Sequence, residues 1–162
     1  MAVIVAGGLV NIIFGLAIYF VLILIRYMIV KNMNFVTAIS YSAQSLGLLI
    51  QSMFDGIIQL FTGKVGINDM MGPVGISEMV SQTSGIVEFI YLLSIISISL
   101  GMTNLLPIIP LDGGKFLLLI IEAIRKKPLD KELELKIQSY GCLLLVLFSA
   151  IIAVNDIIRW IH

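Results

Sequence analysis

Two polar residues flank a break in an otherwise apolar stretch of the chain, and both could take part in chemistry. Asn104 and Asp112 lie at either end of the sequence NLLPIIPLD, which Gly113 and Gly114 follow directly. Pro107 removes a backbone donor and interrupts a helix, while the glycines permit close backbone approach. Broken helices and carboxylates at membrane depth are tolerated only where protein, water, a partner charge or a metal compensates them. The segment therefore indicates a functional site.

Two structural explanations for Asp112 remain open at this point. An aspartate at the start of a helix can cap its free backbone N–H groups. Lys115, three residues further along, is close enough on a helix to neutralise the charge. Neither explanation accounts for Asn104, the prolines and the glycines together, so the grouping favours function.

A second group of small and polar residues lies near the N-terminus. Gly7, Asn11 and Gly15 recur at four-residue spacing, so they share one face of a helix. Small residues at this spacing let two membrane helices approach closely, and an asparagine can form a hydrogen bond between them. We predict helix packing here; a functional role needs further context.

The composition of the chain indicates a membrane protein. Of the 162 residues, 59% are hydrophobic and 12% are charged, whereas soluble domains carry about 25% charged residues. The net charge is zero, which excludes a basic surface for nucleic acid. A single cysteine, Cys142, excludes an internal disulfide, and a single histidine, His162, limits any metal site.

The hydropathy pattern predicts an all-α membrane protein with three transmembrane helices, because about 20 apolar residues cross a bilayer. One further segment is amphipathic and either lies on the membrane as an interfacial helix or packs on the spanning bundle. The predicted segments are a transmembrane helix at 1–25, the interfacial amphipathic helix at 36–61, a loop at 62–86, a transmembrane helix at 89–111 that ends in the broken segment, a half-helix at 112–124 and a transmembrane helix at 137–161.

Charge predicts the orientation. The loop at 125–136 holds five of the ten basic residues, and such loops stay in the cytoplasm. The C-terminus is then outside, where Asn155, Asp156 and Trp160 are predicted to anchor the last helix at the interface. Met1 leads into an apolar run without a basic flank or cleavage site, so no secretory leader is predicted.

The broken segment resembles the second signature of the site-2 proteases, the intramembrane zinc metalloproteases, in their RseP-like branch. That signature is N-x-x-P-x-x-x-x-D-G, and Asn104 to Gly113 matches it at every fixed position. The words GPVGI at 72–76 and LDGG at 111–114 also resemble the family. AGGLVN at 6–11 resembles the family's A-G-P-x-x-N, with glycine in place of the usual proline. The resemblance covers nearly the whole chain.

The resemblance implies roles for two residues. Asp112 would be the third zinc ligand, after two histidines, and Asn104 would position the substrate or stabilise the oxyanion. The substrate would be a transmembrane segment of a regulatory membrane protein, cleaved within or near the membrane on the cytoplasmic side. The protein would lie in the bacterial plasma membrane.

Two family features are missing from the sequence. The first signature, H-E-x-x-H, supplies two zinc ligands and the general base, but this sequence holds only His162. Residues 26–35 leave no room for the PDZ domain that usually follows the first helix. We therefore expect this chain to be the C-terminal part of such a protease, unable to bind catalytic zinc alone and completed by a segment or subunit that carries H-E-x-x-H.

Two other functions remain open. The chain could be a non-catalytic relative that binds transmembrane helices in a groove between the broken and amphipathic helices. It could also form a small ion or proton path in an oligomer, with Asp112 as the intramembrane carboxylate.

Overall fold

The computed structural model describes residues 2–64, 66 and 70–161, with side chains from residue 6 onwards. Within these ranges the chain is all α, as predicted, and three helices are long and apolar enough to cross a membrane. The helices are α1 (Ala2–Ile29), α2 (Phe35–Phe61), α3 (Pro73–Ser81), α4 (Ile86–Asn104), α5 (Asp112–Arg125) and α6 (Lys131–Ile161).

Helices α1 and α4 form the centre of the molecule. Tyr19 and Ile23 of α1 and Ile98 of α4 make up the buried core between them. The two backbones approach closely, since a Cβ atom on Gly101 would lie 2.5 Å from the carbonyl oxygen of Gly8. Only glycine permits this distance, so the α1–α4 contact depends on a small residue at that point.

Helix α2 turns back along α1. Asn34 caps its first turn by accepting a 2.9 Å hydrogen bond from the Thr37 backbone N–H. The hydroxyls of Tyr27 and Ser45 are 3.2 Å apart and join the two helices. Further along α2, apolar side chains pack against the α1–α4 core; they are Leu46, Leu49 and Met53. The structure thus has α2 packed on the spanning bundle, and its position relative to the membrane surface stays a prediction.

The prediction of a loop throughout 62–86 was wrong, because α3 lies within it; residues 65 and 67–69 of this stretch are outside the described ones. The glycines and proline suggested turns. Yet proline is favoured in the first turn of a helix, where its missing N–H has no intrahelical partner to lose. Pro73 is at this position, after Gly72 as the N-cap residue.

Helix α4 ends at Asn104, and residues 105–111 form the break before α5. This segment is a series of turns, in which Leu106 N–H donates to Thr103 O at 3.0 Å and Leu111 N–H donates to Ile108 O at 2.9 Å. The Ile109–Pro110 peptide bond is cis. The segment 89–111, predicted as a span that ends in a break, is helical as far as Asn104 and non-helical from there to residue 111.

Helix α6 begins six residues earlier than the predicted span at 137–161. The second half of the charged loop at 125–136 forms its first turns, and Lys136 pairs with Glu132 at 2.8 Å. Pairs of opposite charge four residues apart support a helix. The charge cluster, which the sequence favours as a loop or a helix start, is a loop as far as residue 130 and a helix start from Lys131.

Candidate functional site

Asp112 is the first residue of α5 and lies beside the N-terminal part of α1. Its side chain is half-buried. The carboxylate oxygen Oδ2 would lie 3.5 Å from a Cβ atom on Gly7. Because Gly7 has no side chain, α1 passes the carboxylate without covering it.

Among the described residues, the Asp112 carboxylate neither caps α5 nor pairs with Lys115, so neither structural explanation applies. The N-cap residue of α5 is Leu111, and no side chain caps the helix. Lys115 does not pair with Asp112, and no other described residue forms a hydrogen bond or ion pair with it. Half-buried acids normally have such partners, so Asp112 is distinguished by the lack of one within the described ranges.

Close contacts from two helices cover the break. A Cβ atom on Gly113 would collide with the backbone oxygen of Leu105, and Gly114 is buried beside it. From α6, Gly141 approaches so closely that its Cβ atom would be 2.5 Å from the backbone oxygen of Ile109. Protein therefore packs against two parts of the break, as irregular backbone at membrane depth requires, while Pro107 and Ile108 stay exposed.

Asn104 is the last residue of α4 and is half-buried. Pro107 is exposed within the break. The structure thus places Asn104 and Asp112 at the two ends of one short connection, although no hydrogen bond between them is found among the described residues. Their side chains keep their donors and acceptors available for a ligand.

The face of α1 that carries Gly7, Asn11 and Gly15 is turned towards α4 and α5. A Cβ atom on Gly15 would be 2.7 Å from the backbone oxygen of Ser94. Ser97 donates a 2.9 Å hydrogen bond from its hydroxyl to the backbone carbonyl of Asn11. The interhelical bond thus uses the main chain of Asn11, where the sequence suggested its side chain.

A second aspartate, Asp156 of α6, has a structural role that the sequence analysis missed. Its side chain is 5% exposed, and its Oδ2 accepts hydrogen bonds from the backbone N–H groups of Gly72 and Gly75, each at 2.9 Å. The prediction of an interfacial anchor was therefore wrong for this residue. The available signal was Gly72 before Pro73: a glycine N-cap has no side chain to cap α3, so an acceptor must come from elsewhere.

The described residues do not supply a complete set of zinc ligands. Catalytic zinc needs three protein ligands and an open coordination position. No group of three His, Cys, Asp or Glu residues that could hold a metal occurs among the described residues, and His162 lies outside them. Asp112 fits zinc as a single carboxylate ligand, because its oxygens have no described partner.

Comparisons with known proteins identify the family. The profile of peptidase family M50 matches residues 1–148. The zinc metalloprotease RasP of Bacillus licheniformis is 41% identical over 125 residues, covering 76% of this chain and 30% of the relative. The regulator of sigma-W protease RasP of Bacillus subtilis is 38% identical with the same coverage. The zinc metalloprotease RasP of Shouchella clausii is 35% identical over 130 residues, covering 79% of this chain and 31% of the relative.

The chain therefore belongs to peptidase family M50, the site-2 proteases, in the RseP-like branch, as its motifs predicted. It spans just under a third of the length of these curated relatives. With three helices of spanning length and apolar composition, it is an integral membrane protein of the bacterial type.

Proposed function

We propose that this chain contributes the carboxylate ligand to the zinc site of an intramembrane metalloprotease. The observation that carries the proposal is Asp112, a half-buried carboxylate that has no described partner and follows directly on the backbone break. The relatives named as zinc metalloproteases support the same assignment. Zinc supplies a Lewis acid and lowers the pKa of its bound water when it occupies such a site.

The remaining zinc ligands and the general base come, in this proposal, from an H-E-x-x-H helix outside the present sequence. Gly7 leaves one side of the Asp112 carboxylate uncovered, so a further ligand group has access to it. The contacts at Gly113 and Gly141 fix the backbone of the break and therefore limit the movement of the carboxylate. A ligand held in position in this way loses little entropy when a metal binds.

Asn104 acts on the substrate in this proposal. Its amide can donate a hydrogen bond to a peptide carbonyl oxygen, which either positions the substrate or stabilises the negative charge that develops on that oxygen. The substrate is a transmembrane segment of another membrane protein. The loop before α6 lies in the cytoplasm and the C-terminus outside, so Asp112, one 14-residue helix away from that loop, acts on the cytoplasmic half of the substrate.

Zinc binding by a reconstituted complex tests the proposal. The full chain is co-expressed with a membrane segment from a relative that carries H-E-x-x-H, and zinc per purified complex is measured by mass spectrometry of the metal. We expect about one zinc per complex and at least a tenfold lower affinity in Asp112→Asn, because one of three protein ligands is lost. Asp130→Asn, an exposed aspartate in the loop before α6, is the matched control.

Cleavage of a transmembrane substrate by the same complex separates the possible outcomes. Loss of cleavage in both Asp112→Asn and Asn104→Ala, with zinc retained only in the latter, supports the two roles. Zinc that binds equally well without the Asp112 carboxylate contradicts the ligand assignment. A complex that binds a substrate helix, but that does not bind zinc and does not cleave the helix, would instead be a non-catalytic binding protein.

A further inference from the structure

A cavity of about 650 Å³ opens between the C-terminal end of α1 and the start of α4. It lies far from Asp112, which faces the opposite end of α1 at Gly7. Most of its lining is apolar and includes Leu22 and Ile25 of α1. Two charged residues also line it, Arg26 from α1 and Glu88 from α4.

Both charges of the cavity lie near the ends of the spans, and the lining that lies deeper than Arg26 on α1 is apolar. Arg26 is three residues before the end of the α1 span at Ile29, and Glu88 is two residues after the start of the α4 span at Ile86. The ends of spanning helices lie at the level of the lipid headgroups. Leu22 lies a further turn into the span. A cavity that is charged at the headgroup level and apolar below it matches an amphiphile in its membrane orientation.

The two charges share the cavity without neutralising each other. Arg26 and Glu88 form no ion pair, and no described residue forms a hydrogen bond with the Arg26 guanidinium. Glu88 uses its Oε2 to accept a 2.8 Å hydrogen bond from the Ser84 backbone N–H, which fixes the carboxylate at the start of α4. Five N–H donors of Arg26 and one carboxylate oxygen of Glu88 remain available.

We propose that this cavity binds a phospholipid whose headgroup carries both a phosphate and a primary ammonium group. The phosphate accepts hydrogen bonds from Arg26, the ammonium donates to Glu88, and one acyl chain lies along Leu22 and Ile25. Opposite charges held apart in one cavity complement a zwitterion. A purely anionic headgroup would leave Glu88 unpaired, and a choline headgroup has no N–H to donate.

Native mass spectrometry of the full chain in detergent tests the proposal, with equal amounts of phosphatidylethanolamine, phosphatidylglycerol and phosphatidylcholine that share the same acyl chains. We expect the chain to retain phosphatidylethanolamine about tenfold more than the other two, the effect of one charge-assisted hydrogen bond. Equal retention of the three lipids would overturn the proposal. So would a dimer of the chain that retains no lipid, because a second copy would then occupy the cavity.

Two substitutions assign the headgroup contacts. Arg26→Gln should lower the retention of all three lipids, since each carries a phosphate. Glu88→Gln keeps an oxygen for the Ser84 N–H, and it should equalise phosphatidylethanolamine with phosphatidylglycerol. Lys31→Gln and Glu134→Gln, which remove charges outside the cavity lining, are the controls. A lipid preference that survives both Arg26→Gln and Glu88→Gln would place the lipid elsewhere.

A cavity-filling substitution tests the proposal independently, in case the charge variants fail to fold. Val87 lines the cavity and is 62% exposed, so a larger side chain can be accommodated there. Val87→Trp should lower the retention of all three lipids while the helix content measured by circular dichroism stays the same. Unchanged retention in this variant would contradict the proposed position of the lipid headgroup in the cavity.

Discussion

Two aspartates near opposite ends of the bundle are held in opposite ways. Asp156 is almost completely buried and accepts two hydrogen bonds, from the backbone N–H groups of Gly72 and Gly75. Asp112 is half-buried and accepts none from the described residues. One carboxylate oxygen of Asp156, Oδ2, is therefore engaged in joining α3 to α6, whereas neither oxygen of Asp112 has a described partner and both can bind a ligand.

The separation of the two sites follows from α6. Gly141 contacts the break at Ile109, and Asp156 lies fifteen residues later on the same helix. At the rise of an α-helix this is about 22 Å along the axis. The two ends can therefore be altered independently, since substitutions farther apart than about 10 Å usually have additive effects.

The largest effect on stability is expected from Gly113→Ala at the break. Its Cβ atom would collide with the Leu105 backbone, which cannot rotate away, so we expect a loss of about 3 kcal/mol or more in the free energy of unfolding. Gly75→Ala is the matched substitution at the α3 end, where the Cβ atom would meet the flexible side chain of Met71 at 2.6 Å. It should cost about 1 kcal/mol. Unfolding in a denaturing detergent measures both, and equal losses would contradict the contrast.

The next largest effect separates the two aspartates themselves. Asp156→Ala leaves two backbone N–H groups at the start of α3 without an acceptor, which should cost about 2–3 kcal/mol. Asp112→Ala removes no described hydrogen bond and should change stability by less than about 0.5 kcal/mol. Hydrogen exchange at the Gly72 and Gly75 amides should speed up only in Asp156→Ala. Equal destabilisation by the two substitutions would mean that Asp112 also has a structural partner.

A smaller effect is expected from covering Asp112. Gly7→Leu places an apolar side chain beside a carboxylate oxygen that lies 3.5 Å from the Cβ position. In the complex reconstituted with an H-E-x-x-H segment, zinc affinity should fall about tenfold, as it does when groups around a metal ligand are changed. Gly47→Leu, on a part of α2 where a Cβ atom meets nothing within 4 Å, is the control. Unchanged zinc affinity in Gly7→Leu would show that the metal approaches Asp112 from another side.

The smallest effect is expected from Ser97→Ala between α1 and α4. The hydroxyl donates a 2.9 Å hydrogen bond to the carbonyl of Asn11, and such interhelical bonds contribute about 0.6 kcal/mol on average in membrane proteins. Ser52→Ala, whose exposed hydroxyl bonds within its own helix, should have no measurable effect in the same unfolding assay. A loss above about 2 kcal/mol would mean that α1 and α4 depend on polar contacts more than on their glycines.

The break and its two polar ends could be predicted from the sequence because every signal is local. Prolines, glycines, Asn104 and Asp112 all lie within eleven residues. The role of Asp156 could not be predicted in the same way, since its partners are 84 and 81 residues away in the chain. From the sequence alone, an aspartate near the end of a membrane helix suggests an interfacial anchor. Only the fold shows the backbone N–H groups from which it accepts hydrogen bonds.

The amphipathic helix α2 shows a different limit. Its apolar side was compatible with a lipid surface and with a protein surface, because both offer the same apolar contacts. Only the fold shows that Leu46, Leu49 and Met53 meet the α1–α4 core. The cavity between α1 and α4 could not be predicted from the sequence either, because it depends on Arg26 and Glu88 coming together from two helices.

The bond between Asp156 and α3 sets an order for biosynthesis. A ribosome makes Gly72 and Gly75 about eighty residues before the aspartate that accepts their hydrogen bonds. Segments made early can fold only with the partners already synthesised. The two hydrogen bonds at the start of α3 can therefore form only after translation has passed Asp156 in α6. The docking of α3 on α6 is therefore separated from the synthesis of α3 by the time needed to make three further helices.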